Sequence, residues 1–162
     1  MQWTGRMIVE KVITEGAPVK VNPNGVDVAP SEVWRIPDDG VVVIHGKTRT
    51  INPEKKQVMP ENGFYVLGKG AYEVRLNCKV SIPRNAVGYC YPRSTFSRLG
   101  ILKSETAVWD SGYEGFGTVC FYVPVKEARV HEKEAWVQFT VKDSHETSNS
   151  YEGHWQGEGK KK

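Results

Sequence analysis

The sequence predicts a mainly β fold, an antiparallel barrel or jelly-roll-like sheet, with one or two short helices. The strongest observation is the stretch 72–82, in which apolar residues occupy every second position and polar residues fill the gaps. That alternation is typical of a half-buried strand. Turn clusters rich in Gly, Pro and Asn separate further short β-like runs, as in barrels and jelly rolls. These runs are 41–44, 63–67, 86–91, 118–125 and 135–141.

Two stretches carry helix signals. Residues 94–99 begin with Ser94 and Thr95, either of which is a good N-cap, and Gly100 follows as a C-terminal stop. A weaker helical pattern covers 5–14. We therefore expect a short helix at each of these two places.

The length of 162 residues fits one domain with a real hydrophobic core. We place this single β domain at 1–141. From Lys142 onward hydrophobic content falls, which predicts a tail over 142–162. The tail nevertheless keeps Tyr151, Trp155 and Gln156, residues that a purely solvating tail has no reason to carry.

Composition and charge exclude several functional classes. A net charge of +3 permits an anionic ligand but is too small to make nucleic acid the default partner. The three cysteines show no CxxC spacing and suggest neither a disulfide framework nor a zinc site. The sequence shows no signal-peptide core and no run approaching the ~20 apolar residues of a membrane span. We expect a cytoplasmic protein that binds neither nucleic acid nor membrane.

The stretch YPRSTFSRLG, residues 91–100, leaves a predicted strand with two arginines and three hydroxyl side chains. Arg93 and Arg98 supply guanidinium groups, while Ser94 and Thr95 supply hydroxyl donors next to a helix start. Such donors favour an anion. The stretch therefore indicates a phosphate site, and the alternative is a capped surface turn with two solvated arginines.

A carboxylate stands in the stretch SETAVWDSGYEGFG, residues 104–117, between an apolar arm and a Gly-rich turn. Asp110 lies next to Trp109 and near Tyr113, which partly desolvates it. A carboxylate in that setting can act as a base or orient a water molecule. The alternative is an aspartate that only caps the turn.

Five motifs in sequence order together resemble the dUTPase and dCTP deaminase superfamily. They are NGVDV, PRSTFSRLG, TAVWDSGYEG, AWVQF and YEGHWQG, and they extend from residue 24 to residue 157. The third motif, D-x-G-Y-x-G, and the last one, Y-x-G-x-aromatic-Q-G, are similar to those of archaeal-type members. The commoner D-x-D-Y form has a second carboxylate where this chain has Gly112.

The resemblance implies a distorted jelly-roll subunit that forms homotrimers with active sites at the subunit interfaces. It also implies a Mg²⁺ ion that holds the triphosphate of the substrate. Asp27 belongs to the first motif and would support this ion through water.

The matching positions imply roles for individual residues. Asp110 would contact the deoxyribose 3′-OH and orient the attacking water, and Tyr113 would pack under the sugar. The strand at 118–120 would present its edge to the pyrimidine, and the tail would fold over the nucleotide from a neighbouring subunit. The phosphate contacts would be Arg93, Ser94, Thr95, Arg98 and Gln138. The other substrate-binding residues would be Ala107, Tyr113, Thr118, Val119, Cys120, Tyr151, Trp155 and Gln156.

One position separates the two activities of the superfamily. Deaminase members need a glutamate ten residues after the third-motif aspartate, because protons must be shuttled at cytosine C4. This chain has Cys120 there, which cannot do so. We therefore expect Mg²⁺-dependent hydrolysis of dUTP to dUMP and pyrophosphate. The alternatives are a dCTP deaminase or bifunctional enzyme, and a non-catalytic trimeric nucleotide-binding module.

Overall fold

The computed structural model describes residues 1–105 and 108–159, which form a mainly β subunit with two short helices. The predicted fold class is confirmed. Helix α1 is Gly5–Lys11 and helix α2 is Ser94–Arg98. The strands are β1 Ile13–Glu15, β2 Lys20–Asn22, β3 Gly25–Val28, β4 Pro30–Arg35, β5 Val41–His45, β6 Thr48–Asn52, β7 Lys56–Val58, β8 Phe64–Leu76, β9 Lys79–Ser81, β10 Ala86–Pro92, β11 Leu102–Lys103, β12 Glu114–Gly115, β13 Thr118–His131 and β14 Val137–Asp143.

Two antiparallel sheets position most of the expected functional residues. One has the strand order β11-β13-β8-β4-β7 and the other has the order β10-β14-β3-β2. The small sheet β1-β9-β12 and the hairpin β5-β6 complete the strands of the described residues. The long β8–β13 ladder changes register between Val123 and Glu127. Pro124 lies in this interval, and a bulge is where a residue without a backbone N–H is tolerated in a sheet.

The alternating stretch 72–82 is divided between two sheets. Strand β8 ends at Leu76 and β9 begins at Lys79, because the chain turns away at Asn77, whose N–H donates to the carbonyl of Ala29 at 3.0 Å. Cys78 and Val80 beyond this break are as buried as Leu76 before it. The alternation therefore continues across the break, and the sequence pattern does not reveal it.

Both helices form at the predicted places with different ends. Helix α1 stops at Lys11, three residues before the predicted end. In α2 the N-cap is Arg93, without a side-chain cap hydrogen bond, so the prediction of Ser94 or Thr95 as the cap is wrong. The reason is that the N–H of Arg93 still donates to the carbonyl of Trp136 at 2.9 Å, which fixes Arg93 in an extended conformation.

A cluster of buried aromatic residues anchors α2 on the core. Phe96, the buried residue of the helix, packs against Phe121 and Trp136 at ring-centroid distances of 5.5 Å and 5.2 Å. Burying three such rings supplies much of the apolar stabilisation at this end of the subunit. Within residues 1–105 and 108–159, no helix is long and apolar enough to cross a membrane.

Candidate active site

A cavity of about 560 Å³ opens at the start of β13 and brings together many of the predicted site residues. Its walls come from the turn before β13, from the outer face of β8 and from the C-terminal segment. The predicted residues that line it are Asp110, Tyr113, Thr118, Val119, Cys120, Tyr151 and Trp155. These residues span more than forty positions in sequence, so their convergence is a property of the fold.

Asp110 projects from a tight turn that follows one pair of backbone hydrogen bonds. Trp109 and Gly88 exchange both N–H···O bonds at 2.9 Å, which fixes the chain immediately before the carboxylate. The turn is closed by the backbone carbonyl of Asp110, which accepts from the N–H of Tyr113 at 3.0 Å. The carboxylate of Asp110 is exposed rather than partly desolvated as the sequence suggested, because the rings of Trp109 and Tyr113 are buried in the core. It lines the cavity, where it can meet a ligand or a water molecule.

Tyr113 is a rigid, neutral wall of this cavity. Its ring is 5% exposed and packs against Trp109 and Tyr151, each at a centroid distance of 5.6 Å. Its hydroxyl donates to the Glu158 carboxylate at 3.3 Å. Burial, and then the nearby charge of Glu158, raises the pKa of Tyr113 far above its ordinary value. The ring can therefore support an apolar face of a ligand without ionising.

Two glycines let chain segments meet at this site. Gly117 has a φ of +59°, and a Cβ there would collide with the Trp109 ring. Gly112 has a φ of +83°, and a Cβ there would collide with the side chain of Ser150 in the C-terminal segment. The close approach of Ser150 explains why a carboxylate side chain does not fit at residue 112 in this arrangement.

The outer face of the β8–β13 ladder carries polar side chains into the cavity. Thr118 lies opposite Arg75 and Cys120 lies opposite Glu73, and all four residues line the cavity. Burial, followed by the charge of Glu73, raises the pKa of the Cys120 thiol. Because the neutral thiol is favoured, Cys120 is poorly suited to move protons.

The C-terminal segment docks along the turn at 111–116 of its own chain. The Gln156 side chain accepts from the N–H of Glu114 and donates to the carbonyl of Gly112, both at 2.9 Å. Glu158 reaches into the cavity, where its carboxylate accepts from Thr118 Oγ1 at 2.5 Å. Trp155 is 51% exposed at the cavity edge. Gln156 thus holds the segment in place, while Glu158 is a cavity residue that the motifs did not indicate.

A second group of predicted residues lies around α2 and the β10-β14-β3-β2 sheet. Asp27 is only 1% exposed and its two oxygens accept from different groups. Oδ1 accepts from Asn22 Nδ2 at 2.7 Å, and Oδ2 forms an ion pair with the guanidinium of Arg93. Gln138 is the cross-strand neighbour of Asp27. Arg93, Asp27 and Gln138 therefore form one polar cluster at the junction of β3, β14 and α2.

In one chain these two groups stay apart. Ser94, Thr95 and Arg98 are exposed on α2, but none of the described residues that line the cavity comes from α2, β3 or β14. Ala107, predicted to bind substrate, lies outside the described residues. The structure thus unites the expected base, sugar and water-orienting residues, and places the expected phosphate contacts elsewhere.

Asp27 does not fit a direct metal ligand in this arrangement, because it is buried and its oxygens accept from Arg93 and Asn22. The support of the ion through water that the resemblance implies stays a prediction. The residues described by the structure contain no group of three or more His, Cys, Asp or Glu side chains that could hold a metal ion. We therefore derive no step of the chemistry through a metal held by protein side chains.

Comparison with known families identifies the family of the chain. A sequence model of the dCTP deaminase-like family matches residues 2–144. The chain belongs to the dCTP deaminase-like family. This confirms the resemblance that the five motifs indicated.

Curated relatives of this chain are named for the hydrolysis of dUTP rather than for the deamination of dCTP. The chain is 34% identical to a "Probable deoxyuridine 5'-triphosphate nucleotidohydrolase" of Aeropyrum pernix over 141 residues, which are 86% of each chain. It is 33% identical to a protein of the same name from Methanococcoides burtonii, over 86% of this chain and 82% of that relative.

A solved structure supports the fold. The crystal structure of the 2'-deoxycytidine 5'-triphosphate deaminase from Agrobacterium tumefaciens matches with a TM-score of 0.60 and 18% identity, over 84% of this chain. The match spans 44% of the length of that deaminase chain. At this low sequence identity, the match shows only that this chain and the deaminase share a fold.

Proposed function

We propose that this protein hydrolyses dUTP to dUMP and pyrophosphate. The observation that carries the proposal is the cavity in which Asp110, Tyr113 and the strand Thr118–Cys120 meet, with a thiol in place of a carboxylate at Cys120. The names of its archaeal relatives support the same substrate. In the cell this reaction would limit uracil incorporation into DNA and supply dUMP in the cytoplasm.

In the proposed reaction the Asp110 carboxylate orients a water molecule and accepts its proton as the water attacks the α-phosphorus. A bond forms between the water oxygen and the α-phosphorus, and the bond from this phosphorus to the bridging oxygen breaks. Pyrophosphate leaves with the bonding electron pair, and the proton on Asp110 passes to solvent. The buried ring of Tyr113 packs under the deoxyribose, which holds the α-phosphate near Asp110.

The phosphate contacts are proposed to come from a second subunit of a homotrimer. Arg93, Ser94, Thr95, Arg98 and Gln138 lie away from the cavity of their own chain, so a shared site would bring them to the triphosphate. The Arg93 side chain is 31% exposed beside its ion pair with Asp27, and Arg98 is exposed on α2. Both guanidinium groups are therefore open to a phosphate at a subunit interface.

The substrate in this proposal is the Mg²⁺ complex of dUTP, with the ion carried by phosphate oxygens and water. The ion would neutralise charge that develops on the leaving pyrophosphate. In this proposal the residues of this chain that line the cavity orient the water, the sugar and the base.

Deamination of dCTP is the second candidate, alone or in a bifunctional enzyme, because the family is described as dCTP deaminase-like. The structure adds one carboxylate that the motifs did not reveal, Glu73, which lies directly opposite Cys120. Pyrophosphate and ammonia must therefore be followed in the same assay.

The test uses purified protein with Mg²⁺ and, separately, dUTP, dCTP, dTTP and UTP. We expect pyrophosphate from dUTP and no ammonia from dCTP. Asp110→Asn should abolish turnover while nucleotide binding largely survives, whereas Asp39→Asn, at an exposed aspartate outside the cavity, should keep wild-type turnover. Hydrolysis by Asp110→Asn at the wild-type rate would refute the assigned role. If none of the four nucleotides yields pyrophosphate or ammonia, the result would favour a non-catalytic nucleotide-binding module.

A further inference from the structure

An ion pair that none of the motifs contains lies in the wall of the same cavity. Lys55 precedes β7 and Glu73 lies on β8, and their ammonium and carboxylate groups are in direct contact. Both side chains line the cavity together with Asp110, Tyr113 and Cys120.

The strand register fixes where Glu73 points. Tyr72 and Val74 are buried in the core, so Glu73 between them faces outward, as does Arg75. On the next strand Cys120 is the direct partner of Glu73. The Glu73 carboxylate therefore lies beside the strand that is expected to meet the pyrimidine.

This pair differs from an ordinary surface salt bridge in its surroundings. Each of the two side chains is 31% exposed, so both are partly shielded from solvent, and their charges interact more strongly than a pair in bulk water. The adjacent Arg75 is already paired with Glu32 at 3.0 Å. Lys55 and Glu73 thus present a hydrogen-bond donor and a hydrogen-bond acceptor side by side to a ligand in the cavity.

Uracil and cytosine differ in the groups that such a pair can distinguish. Uracil presents a donor, N3–H, next to an acceptor, O4, whereas cytosine presents an acceptor, N3, next to a donor, the 4-amino group. A carboxylate only accepts hydrogen bonds and an ammonium only donates them. With Glu73 at N3 and Lys55 at position 4, uracil satisfies both groups. Cytosine in the same pose meets both with the wrong partner.

We propose that the Lys55–Glu73 pair reads the N3 and O4 positions of the pyrimidine and selects uracil nucleotides against cytosine nucleotides. This inference rests on the proposed function of the cavity as the nucleotide site.

The residue at position 120 fits this assignment. A glutamate there would place a second carboxylate directly opposite Glu73, and like charges in a cross-strand pair are destabilising. If Glu73 binds the base, a small neutral side chain at position 120, such as that of Cys120, avoids this repulsion.

The experiment compares Glu73→Gln and Lys55→Met with wild type and with the control Glu15→Gln. Glu15 also pairs with a lysine, Lys79 at 3.3 Å, but lies outside the cavity. Calorimetry gives the Kd values for dUDP and dCDP, and a separate assay gives turnover of dUTP and ammonia from dCTP. Thermal melting checks that every variant is folded.

We expect both cavity variants to lower the preference for dUDP over dCDP by about 10- to 100-fold, the range for losing a paired base contact. Glu15→Gln should keep the wild-type preference. A parallel loss of affinity for both nucleotides would show that the pair is only structural and would overturn the proposal. Ammonia release that disappears in Glu73→Gln would also overturn it, since Glu73 would then be a proton shuttle.

Failure of the proposed function gives a different result. The wild-type protein could fail to hydrolyse dUTP but still prefer dUDP to dCDP, while both variants lose that preference. This result would refute hydrolysis and leave the base-reading role intact. A protein that binds neither nucleotide would overturn the inference.

Discussion

Removing the positive charge of Arg93 should destabilise the fold, because Asp27 would remain as a buried carboxylate without its partner. Asp27 is 1% exposed, and its Oδ2 atom depends on the guanidinium of Arg93. We consider Arg93→Met, which keeps most of the aliphatic stem and removes the charge.

The magnitude follows from the surroundings of the pair. Breaking a fully buried ion pair costs about 3–5 kcal/mol. Two features lower this cost here, since Asn22 continues to donate to Oδ1 and the Arg93 side chain is 31% exposed, so water can replace it. We expect a loss of about 2 kcal/mol in the free energy of unfolding, or roughly 4–8 °C in Tm.

Urea denaturation at one fixed protein concentration measures this loss. Arg98→Met is the matched control, because Arg98 lies on the same helix and is exposed, so its change should stay within about 0.5 kcal/mol. The double variant Asp27→Asn/Arg93→Met should lose about 1–2 kcal/mol less than the sum of the two single variants. Equal stability of Arg93→Met and Arg98→Met, or additive single variants, would refute this reasoning.

Three further predictions concern the glycine and cysteine positions. Gly117→Ala should lower the Tm and weaken nucleotide binding, because a Cβ at φ +59° collides with the Trp109 ring. Gly46→Ala is the control, because Gly46 also has a positive φ but a Cβ there meets no neighbouring atom. Under mild alkylation of the folded protein, Cys120 should react slowly and be protected by dUDP, as mass spectrometry would show, while the buried Cys78 and Cys90 should react only after unfolding. Burial raises the pKa of Cys78 to about 11 and that of Cys90 to about 12. The thiols of the unfolded chain, with an ordinary pKa of about 8.5, lose their protons first, so the free energy of unfolding should fall from about pH 8.5 up to the folded-state pKa values, by roughly 1.5–2 kcal/mol per thiol at pH 10. Urea titrations at pH 8 and pH 10 test this, and a fall that persists unchanged in the double Cys→Ala variant would exclude the thiols as its cause.

The fold class was predictable because its signal is local, in the alternation of β8 and in the turn clusters. Local signals do not report which sheet a strand joins, and this is why the break at Asn77 was missed. The N-cap of α2 was missed for a related reason. The bond from Arg93 to Trp136 joins positions more than forty residues apart, and it overrides the capping preference of Ser94.

The candidate site was predictable only where its residues lie in motifs. Asp110, Tyr113 and the strand at 118–120 fall in contiguous stretches, and the structure places them around one cavity. Lys55 and Glu73 were missed because nothing in their own stretches distinguishes them from solvated residues. Their position becomes visible only through the register that puts Glu73 opposite Cys120.

The separation of the two residue groups has a physical reason in the sheets themselves. The cavity forms on the outer face of the β8–β13 ladder, whereas Asp27 and Gln138 share a row of the β10-β14-β3-β2 sheet with Arg93 beside them. In the proposed site, a nucleotide seated at Asp110 would meet the phosphate donors of a second copy, which would complete the site without enlarging the subunit. Catalysis would then depend on assembly, because each residue group would bind only part of the substrate.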